Sequence, residues 1–168
     1  HEVISFDNYS TGFKENHQEG CMYYDVDVSS DYRYGKLKNI IEPVDIIFHL
    51  AALARIEPSF DSPVETCLSN VNGTLNMLEL ARKWNAQLIY SGSSSYHGGI
   101  YRSPYAFSKA SGEQLCELYS RIYGLNVSVF RFYNVYGPHQ IEEGTYATVI
   151  GIFEKQFRNK LPLTVVGD

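Results

Sequence analysis

The sequence predicts an α/β fold built on a parallel β-sheet, because short apolar runs alternate along the chain with longer amphipathic segments. The short runs are nearly continuous in apolar residues, which is typical of strands that are covered by helices on both faces. With 168 residues, the chain has the length of a single domain. The five predicted strands occupy residues 3–6, 22–26, 45–50, 87–90 and 127–132.

Three helices are predicted from their capping signals and their periodicity. The first begins at Ser62, because Ser-Pro-Val-Glu combines a capping serine, a proline suited to the first turn and the glutamate of a capping box. Apolar residues then recur at spacings of three and four up to Ala81, which defines one stripe of a helix. The second helix begins at Ser103 by the same signal and ends at Gly124. The third covers about residues 145–159.

The composition excludes several classes of protein. Hydrophobic residues make up 44% of the chain and charged residues 20%, which is ordinary for a globular protein and excludes a disordered one. No apolar run approaches the ~18 residues that a membrane span needs, so we expect no membrane partner. The net charge of −5 argues against a nucleic-acid partner. Because the chain begins at His1 with an apolar run and ends in another, we expect a fragment of a longer protein.

The three cysteines, Cys21, Cys67 and Cys116, are far apart and form no Cys-x-x-Cys pair. This spacing predicts neither a disulfide framework nor a metal site. Free thiols are typical of a reducing compartment, which predicts a cytoplasmic location. Two polar residues in apolar runs have structural interpretations: we expect His49 to be a hydrogen-bonded core residue and Arg131 to be held by an ion pair.

Ligands of a parallel sheet bind beyond the carboxyl ends of its strands, so the residues just after each run are the candidates for function. Asp7 follows the first run, where a carboxylate can accept hydrogen bonds from both hydroxyls of an adenosine ribose and would repel a 2′-phosphate. A loop or capping role for Asp7 is the alternative. The serine run 91–95 follows the fourth strand, and its hydroxyls can both donate and accept hydrogen bonds. A plain polar loop would have the same composition.

Tyr105 and Lys109 share one face of the second helix, because they are four residues apart. An ammonium group beside a phenol favours the phenolate, which can then act as a general base. The same Tyr-x-x-x-Lys spacing occurs at residues 32–36 and 34–38, where the polar surroundings indicate solvated side chains. The pair at the Ser-Pro helix start differs because it comes just after the serine run.

These features occur in an order that resembles the extended short-chain dehydrogenase/reductase family. The helix that carries the family's Tyr-x-x-x-Lys motif is matched by Ser-Pro-Tyr-Ala-Phe-Ser-Lys at 103–109, with the serine run before it. Within the family, the chain is most similar to nucleotide-sugar epimerases of the UDP-glucose 4-epimerase type. The other segments that fit the family, in the same order along the chain, are residues 6–12, 49–52, 70–74 and 131–138.

The resemblance implies a doubly wound, Rossmann-like parallel sheet that binds NAD, with a nucleotide sugar of the UDP-sugar class as the substrate. It implies epimerisation at C4 through a transient 4-keto intermediate, without a metal, in a homodimer. The family's first strand and glycine-rich loop have no counterpart in this sequence. We therefore expect residues 1–168 to form an incomplete NAD-binding domain, in which the substrate-binding region begins at about residue 138.

The resemblance also assigns roles to individual residues. Tyr105 would be the catalytic base, and Lys109 would bind the nicotinamide ribose and tune Tyr105. Ser93 would bridge the transferred proton, with Ser94 as its close alternative. The further cofactor contacts would come from Asp7, Asn8, Asp27, Val28, Leu50, Ala51, Ala52, Leu53, Asn70 and Tyr133. The substrate contacts would come from Ser93, Ser94, Asn134, Ala147 and Thr148.

Other activities on the same scaffold stay open at the level of sequence. The similar sugar 4,6-dehydratases have a Thr-Asp-Glu run where this chain has serines at 93–95, so elimination of water is disfavoured. An NAD-dependent nucleotide-sugar reductase or decarboxylase would carry the same Tyr105 and Lys109. A non-catalytic member that only binds a dinucleotide or a sugar nucleotide is the alternative from a different class. Loss of Tyr105 or Lys109 would mark such a member, and both residues are present.

Overall fold

The computed structural model describes residues 1–30 and 42–165, which form two compact units divided between Tyr133 and Asn134. The Tyr-x-x-x-Lys pairs at 32–36 and 34–38 lie outside the described residues. The described residues of the first unit include five parallel strands, and the sequence runs predicted all five. The strands are β1 (Val3–Asp7), β2 (Cys21–Asp25), β3 (Ile46–His49), β4 (Gln87–Ser93) and β5 (Val127–Phe132).

The strands form two separate hydrogen-bonded ladders. β1 pairs with β2, and β4 pairs with β3 on one side and β5 on the other. Between β1–β2 and β3–β4–β5, the described residues show no ladder pairing. A sheet in two parts agrees with the expectation that this chain lacks one strand of the doubly wound fold.

Helices connect the strands in the α/β manner that the sequence predicts. They are α1 (Ile56–Asp61), α2 (Pro63–Cys67), α3 (Gly73–Trp84), α4 (Ser95–Gly98) and α5 (Pro104–Tyr123) in the first unit, and α6 (Val149–Arg158) in the second. A short 3₁₀ segment covers Lys14–Asn16. A π-helical turn at Leu68–Asn72 joins α2 to α3.

The capping signals differ in outcome. For α5 the prediction is confirmed, since the Ser103 side chain accepts a hydrogen bond from the Ala106 amide at 3.0 Å and Gly124 ends the helix with φ +65°. For Ser62 the prediction of a capping box is wrong, because its side chain makes no capping hydrogen bond. Ser62 also ends α1, and its carbonyl accepts from both the amide and the hydroxyl of Thr66.

The core of the first unit lies where α3 and α5 pack on β4. The fully buried side chains there include Leu78, Leu88, Tyr90 and Cys116. All three cysteines are free, as the sequence predicts, although only Cys116 is buried. Across the part of the chain that the structure describes, no helix has the length and apolar character to cross a bilayer.

The second unit is organised around α6. The Thr148 hydroxyl caps this helix by accepting a hydrogen bond from the Gly151 amide at 3.0 Å, and it donates to the Gln140 side chain. Gln140 in turn donates to Glu154 on α6 at 2.7 Å. The helix begins at Val149, later than the predicted residue 145, because residues 144–147 form a turn closed by the Ala147 amide on the Gly144 carbonyl.

Candidate active site at the carboxyl end of β4

Tyr105 and Ser93 meet where the first turn of α5 passes the carboxyl end of β4. The Tyr105 hydroxyl donates a hydrogen bond to Ser93 Oγ at 3.3 Å. Ser95 donates to the same oxygen twice, from its amide at 3.2 Å and from its hydroxyl at 2.9 Å. Ser93 Oγ is the acceptor in each of these hydrogen bonds, so its own proton stays available for a donor role. A hydroxyl in this arrangement can relay a proton between a bound alcohol and Tyr105.

Lys109 reaches the same strand one helical turn further along α5. Its ammonium donates to Ser91 Oγ at 3.4 Å and lies 4.5 Å from the ring centroid of Tyr90. Burial, which leaves Lys109 only 5% exposed, lowers its pKa to about 8, although the nearby Glu113 acts in the opposite direction. The ammonium is therefore the predominant form at neutral pH, as its expected role requires.

The loop after β3 is fastened to α5 by one buried side chain. Asn70 Oδ1 accepts from the Leu53 amide at 2.8 Å, and Asn70 Nδ2 donates to the Leu53 carbonyl at 3.1 Å. The same Nδ2 donates to Ser108 Oγ at 2.9 Å, beside Lys109 in the helix. Leu50 and Ala51 in this loop are exposed, and Ala52 and Leu53 are half-buried. The end of β3 is thus followed by a partly exposed loop that Asn70 holds in place.

The Asn70 position depends on the π-helical turn between α2 and α3. The Asn70 carbonyl accepts a hydrogen bond from Thr74 Oγ1 at 2.6 Å, and that hydroxyl also lies 3.0 Å from His49 Nε2. Burial and the charge of Lys109 lower the pKa of His49 to about 3, so the imidazole is neutral. The prediction that His49 is a hydrogen-bonded core residue is confirmed.

Asp7 and Asn8 lie at the carboxyl end of β1, where the sequence places a ribose site. Asp7 Oδ1 accepts from the Tyr9 amide at 2.7 Å, and Asn8 Oδ1 accepts from the Ser10 amide at 3.0 Å. A Cβ at Gly12 would come within 3.2 Å of Asp7 Oδ2, so the loop approaches the carboxylate closely. Asp7 therefore closes its own turn, as the capping interpretation requires, and remains an exposed carboxylate that can accept from hydroxyls.

Asp27 and Val28 lie at the end of β2, next to α3. Asp27 Oδ1 accepts from the Ser29 amide at 2.8 Å, which fixes the turn. Val28 is buried, and its side chain would lie 3.3 Å from a Cβ at Gly73. Asn76 of α3 donates to the carbonyls of Val28 and Ser30 at 2.9 and 2.6 Å. These contacts hold the end of β2 against the helix.

The remaining predicted residues lie at the end of β4, at the end of β5 and in the second unit, and their roles stay predictions. Tyr133 directly follows β5 and is largely exposed. The Ser94 amide donates to the Phe132 carbonyl at 2.9 Å, which ties the serine run to β5. Asn134, Ala147 and Thr148 belong to the second unit, and their contacts with substrate stay predictions.

Three residues near Tyr105 and Lys109 were not assigned roles from the sequence: Ser91, Ser95 and Tyr90. Ser91 and Ser95 flank Ser93, so their place in the serine run 91–95 is the sequence signal that could have identified them. For Tyr90 the sequence carries no such signal; only the structure shows that residues 88, 90 and 92 of β4 are buried, which directs the Tyr90 side chain at a covering helix.

Arg131 and Glu113 form the ion pair that the sequence predicts for a charged residue in an apolar strand. Arg131 Nε lies 3.1 and 3.0 Å from the two carboxylate oxygens of Glu113, and Nη2 lies 2.7 Å from Oε2. The guanidinium also stacks on the Tyr96 ring at 3.9 Å. In the described residues no group of three or more His, Cys, Asp or Glu side chains is arranged to hold a metal ion.

The chain is similar to known proteins along nearly all of its length. UDP-glucuronate 4-epimerase of Thermodesulfobacterium geofontis is 32% identical over 89% of this chain and 49% of its own length. UDP-glucuronic acid decarboxylase 1 of Arabidopsis thaliana is 33% identical over 99% of this chain and 41% of its own. UDP-glucose 4-epimerase of Thermotoga maritima, solved with UDP-glucose, superposes with a TM-score of 0.90 at 29% identity, over 99% of this chain and 58% of that protein.

The chain thus spans about half the length of the relatives that it matches. The family model described as the NAD dependent epimerase/dehydratase family matches residues 1–168. The parallel α/β architecture of the solved relative confirms the predicted fold class. The resemblance noted from the Tyr-x-x-x-Lys helix and the serine run is confirmed: the chain belongs to the NAD-dependent epimerase/dehydratase family.

Proposed function

We propose that the whole protein is an NAD-dependent 4-epimerase of a UDP-sugar. One contact supports this function above the others: the Tyr105 hydroxyl donates to Ser93 Oγ at 3.3 Å, one helical turn from the buried ammonium of Lys109. A phenol, a bridging hydroxyl and a cation at the carboxyl end of one strand are the groups needed to move the proton of a secondary alcohol.

The residues present fit an NAD molecule. The exposed Asp7 carboxylate would accept from the adenosine ribose hydroxyls, with Asn8, Asp27 and Val28 beside it. The loop 50–53, fixed by Asn70, would line the path of the dinucleotide, and Lys109 would bind the nicotinamide ribose. When bound, NAD supplies the reversible hydride acceptor that protein side chains lack.

The chain's own residues would carry the proton. Tyr105, as the general base one helical turn from Lys109, would take the proton of the sugar's 4-hydroxyl through Ser93. Ser95 keeps the Ser93 oxygen in place by donating to it twice. After the 4-keto sugar has turned over in the site, the same groups return the proton to the new hydroxyl. The protein ends in its starting state, so the reaction consumes no net cofactor.

Decarboxylation of a UDP-uronic acid is the second candidate. A decarboxylase is among the relatives at 33% identity, and its reaction would need the same alcohol oxidised first. The serine run carries no acid for elimination of water, so a dehydratase is disfavoured. The sugar itself is left open, because the chain spans only part of each relative.

Turnover by the whole protein distinguishes these functions. Purified protein is incubated with NAD and UDP-glucose, UDP-N-acetylglucosamine or UDP-glucuronate, and products are separated by ion-exchange chromatography, with carbon dioxide measured in parallel. An epimerase yields the C4 epimer without carbon dioxide or net NADH. Release of carbon dioxide from UDP-glucuronate would instead support the decarboxylase, and binding of NAD without any product would support a non-catalytic member.

Tyr105→Phe provides the test of mechanism. We expect turnover to fall by about 10²–10⁴-fold while NAD affinity is retained, because only the transferable proton is lost. Tyr101→Phe is the matched control, since Tyr101 is an exposed tyrosine close to the start of α5. Unchanged turnover in Tyr105→Phe would remove this residue from the mechanism.

A homodimer and a cytoplasmic location are part of the same proposal. Large apolar side chains on the helices around Asn70 and Tyr105 are exposed, and a second copy would cover them; they are Phe60, Val64, Leu68, Phe107, Leu118 and Ile122. The three free thiols fit a reducing compartment. Sedimentation equilibrium of the whole protein tests the dimer, and a monomer at micromolar concentration would refute it.

A further inference from the structure

Tyr90 is a residue of β4, and the ammonium of Lys109, on α5, lies over its ring. Its ring centroid is 4.5 Å from the Lys109 ammonium, and its hydroxyl donates to the Lys109 carbonyl at 3.2 Å. We propose that Tyr90 is a positioning residue for Lys109, whose aromatic face holds the ammonium in its charged form at this place. The inference rests on the proposed function in one respect, because that function explains why Lys109 must be charged. The contact between Tyr90 and Lys109 is observed independently of it.

The ammonium needs such a partner because it is almost completely buried. Charged and titratable groups face it from three elements: Glu113 and Cys116 on α5, Tyr90 on β4, and His49 on β3. Glu113 favours the charged form, but both of its carboxylate oxygens already accept hydrogen bonds from Arg131. His49 is neutral. The electron-rich face of a ring stabilises a desolvated cation without adding a charge of its own.

The helix is built to admit this ring. A Cβ at Gly112 would come within 2.2 Å of the Tyr90 hydroxyl and 2.7 Å of its Cζ, so any larger residue there would displace the ring. Glycine is a poor helix former, yet it occupies the middle of α5. An aliphatic side chain at position 90 could fill the space between β4 and α5 without needing a glycine at position 112. The pair Gly112 and Tyr90 therefore indicates that the ring itself is the required feature.

The direct test is a titration of Lys109 in the whole protein without substrate. Protein labelled with ¹³C-lysine is titrated by NMR, and the Lys109 Cε signal is assigned by its loss in Lys109→Arg. Tyr90→Phe keeps the ring face, and pentafluorophenylalanine at position 90 keeps the shape but removes the electron-rich face. We expect the Lys109 pKa to be retained with phenylalanine and to fall by about 1 with the fluorinated ring.

A conventional variant and a control complete the series. Tyr90→Leu should also lower the Lys109 pKa, whereas Leu88→Val, a buried change on the same strand, should lower stability and leave that pKa in place. If Tyr90→Leu does not fold, the two ring analogues still decide the question. An identical Lys109 pKa with phenylalanine and pentafluorophenylalanine would overturn the inference.

Activity gives a second, separate readout. The alkaline limb of the kcat/KM profile should move to lower pH with the fluorinated ring and stay in place with Tyr90→Phe. If Tyr105→Phe proves fully active, the proposed epimerase mechanism fails, but the titration of Lys109 is unaffected. If the titration shows no shift while Tyr105→Phe is inactive, the role of Tyr90 fails and the mechanism stands.

Discussion

Replacement of Asn70 by alanine is the sharpest probe of how the fold supports the candidate site. The side chain is 1% exposed and makes three hydrogen bonds, two with the Leu53 backbone and one with Ser108 Oγ. Asn70→Ala removes all three and leaves the Leu53 amide and carbonyl without these partners. At ~1 kcal/mol for each hydrogen bond, we expect the free energy of unfolding to fall by about 3 kcal/mol.

The loss should be concentrated in the loop after β3. A local change of ~3 kcal/mol corresponds to an increase of about 10²-fold in exchange of the Leu53 amide. Hydrogen exchange followed by NMR on the whole protein measures that amide, and urea unfolding measures global stability. Because the loop 50–53 would line the dinucleotide path, NAD affinity measured by calorimetry should weaken as well.

Asn76→Ala is the matched control, because Asn76, on α3, likewise fastens a loop through its amide group. Its two hydrogen bonds go to the Val28 and Ser30 carbonyls, nearer to solvent. Water can replace them, so we expect a loss of about 1 kcal/mol and no change at Leu53. If Asn70→Ala lowers global stability but leaves Leu53 exchange equal to that of Asn76→Ala, Asn70 is a general core residue and does not hold this loop.

Three further predictions concern the proton relay, acid stability and the packing of α5. Ser93→Ala should lower turnover by about 10²-fold while NAD affinity is retained, and unchanged turnover would exclude Ser93 from the relay. Burial lowers the pKa of His49 to about 3 from an ordinary value of 6.5, so the unfolded chain binds its proton first as the pH falls. The contribution of His49 to the free energy of unfolding, measured by urea titration, should therefore be intact above pH 6.5 and decline by roughly 3 kcal/mol by pH 4. An equal decline in His49→Gln would show that other groups cause it. Gly112→Ala should lower stability by ~1–3 kcal/mol in thermal unfolding, because its Cβ would clash with Tyr90; an unaltered melting temperature would show that the ring can move aside.

Local signals in the sequence were sufficient where one segment determines its own structure. The apolar runs predicted every strand that the structure describes in the first unit, and Ser103 and Gly124 predicted the bounds of α5. The Ser62 signal failed because that residue serves two helices, ending α1 and beginning α2, and its carbonyl rather than its hydroxyl makes the bonds. A capping pattern in the sequence assumes that the capping residue borders one helix. Where two helices meet at a single residue, that assumption fails.

The candidate site was predictable to the extent that it follows one strand and one helix. Tyr105 and Lys109 could be paired from their spacing and placed near the serine run that precedes them, whereas the role of Ser93 came from the resemblance to the family. The fastening of Leu53 by Asn70 joins residues 17 positions apart, and the Tyr90–Lys109 contact joins residues 19 apart. Such pairs depend on how α3 and α5 pack on the sheet, and no spacing within a single element indicates them.

The two hydrogen-bonded ladders carry different parts of the candidate site. The groups that we propose to move the proton lie on β4, in the three-stranded sheet, and on α5, which packs on that sheet over the main core. Asp7 lies on the β1–β2 pair, which is joined to the rest through packing of Val26 and Val28 and through Asn76, rather than through ladder hydrogen bonds. A two-stranded pair is only marginally stable by itself, so this part of the proposed NAD site depends on α3 for its position. If the proposed roles are right, proton transfer and ribose recognition are stabilised by different contacts, and substitutions that destabilise α3 should weaken NAD binding before they slow turnover.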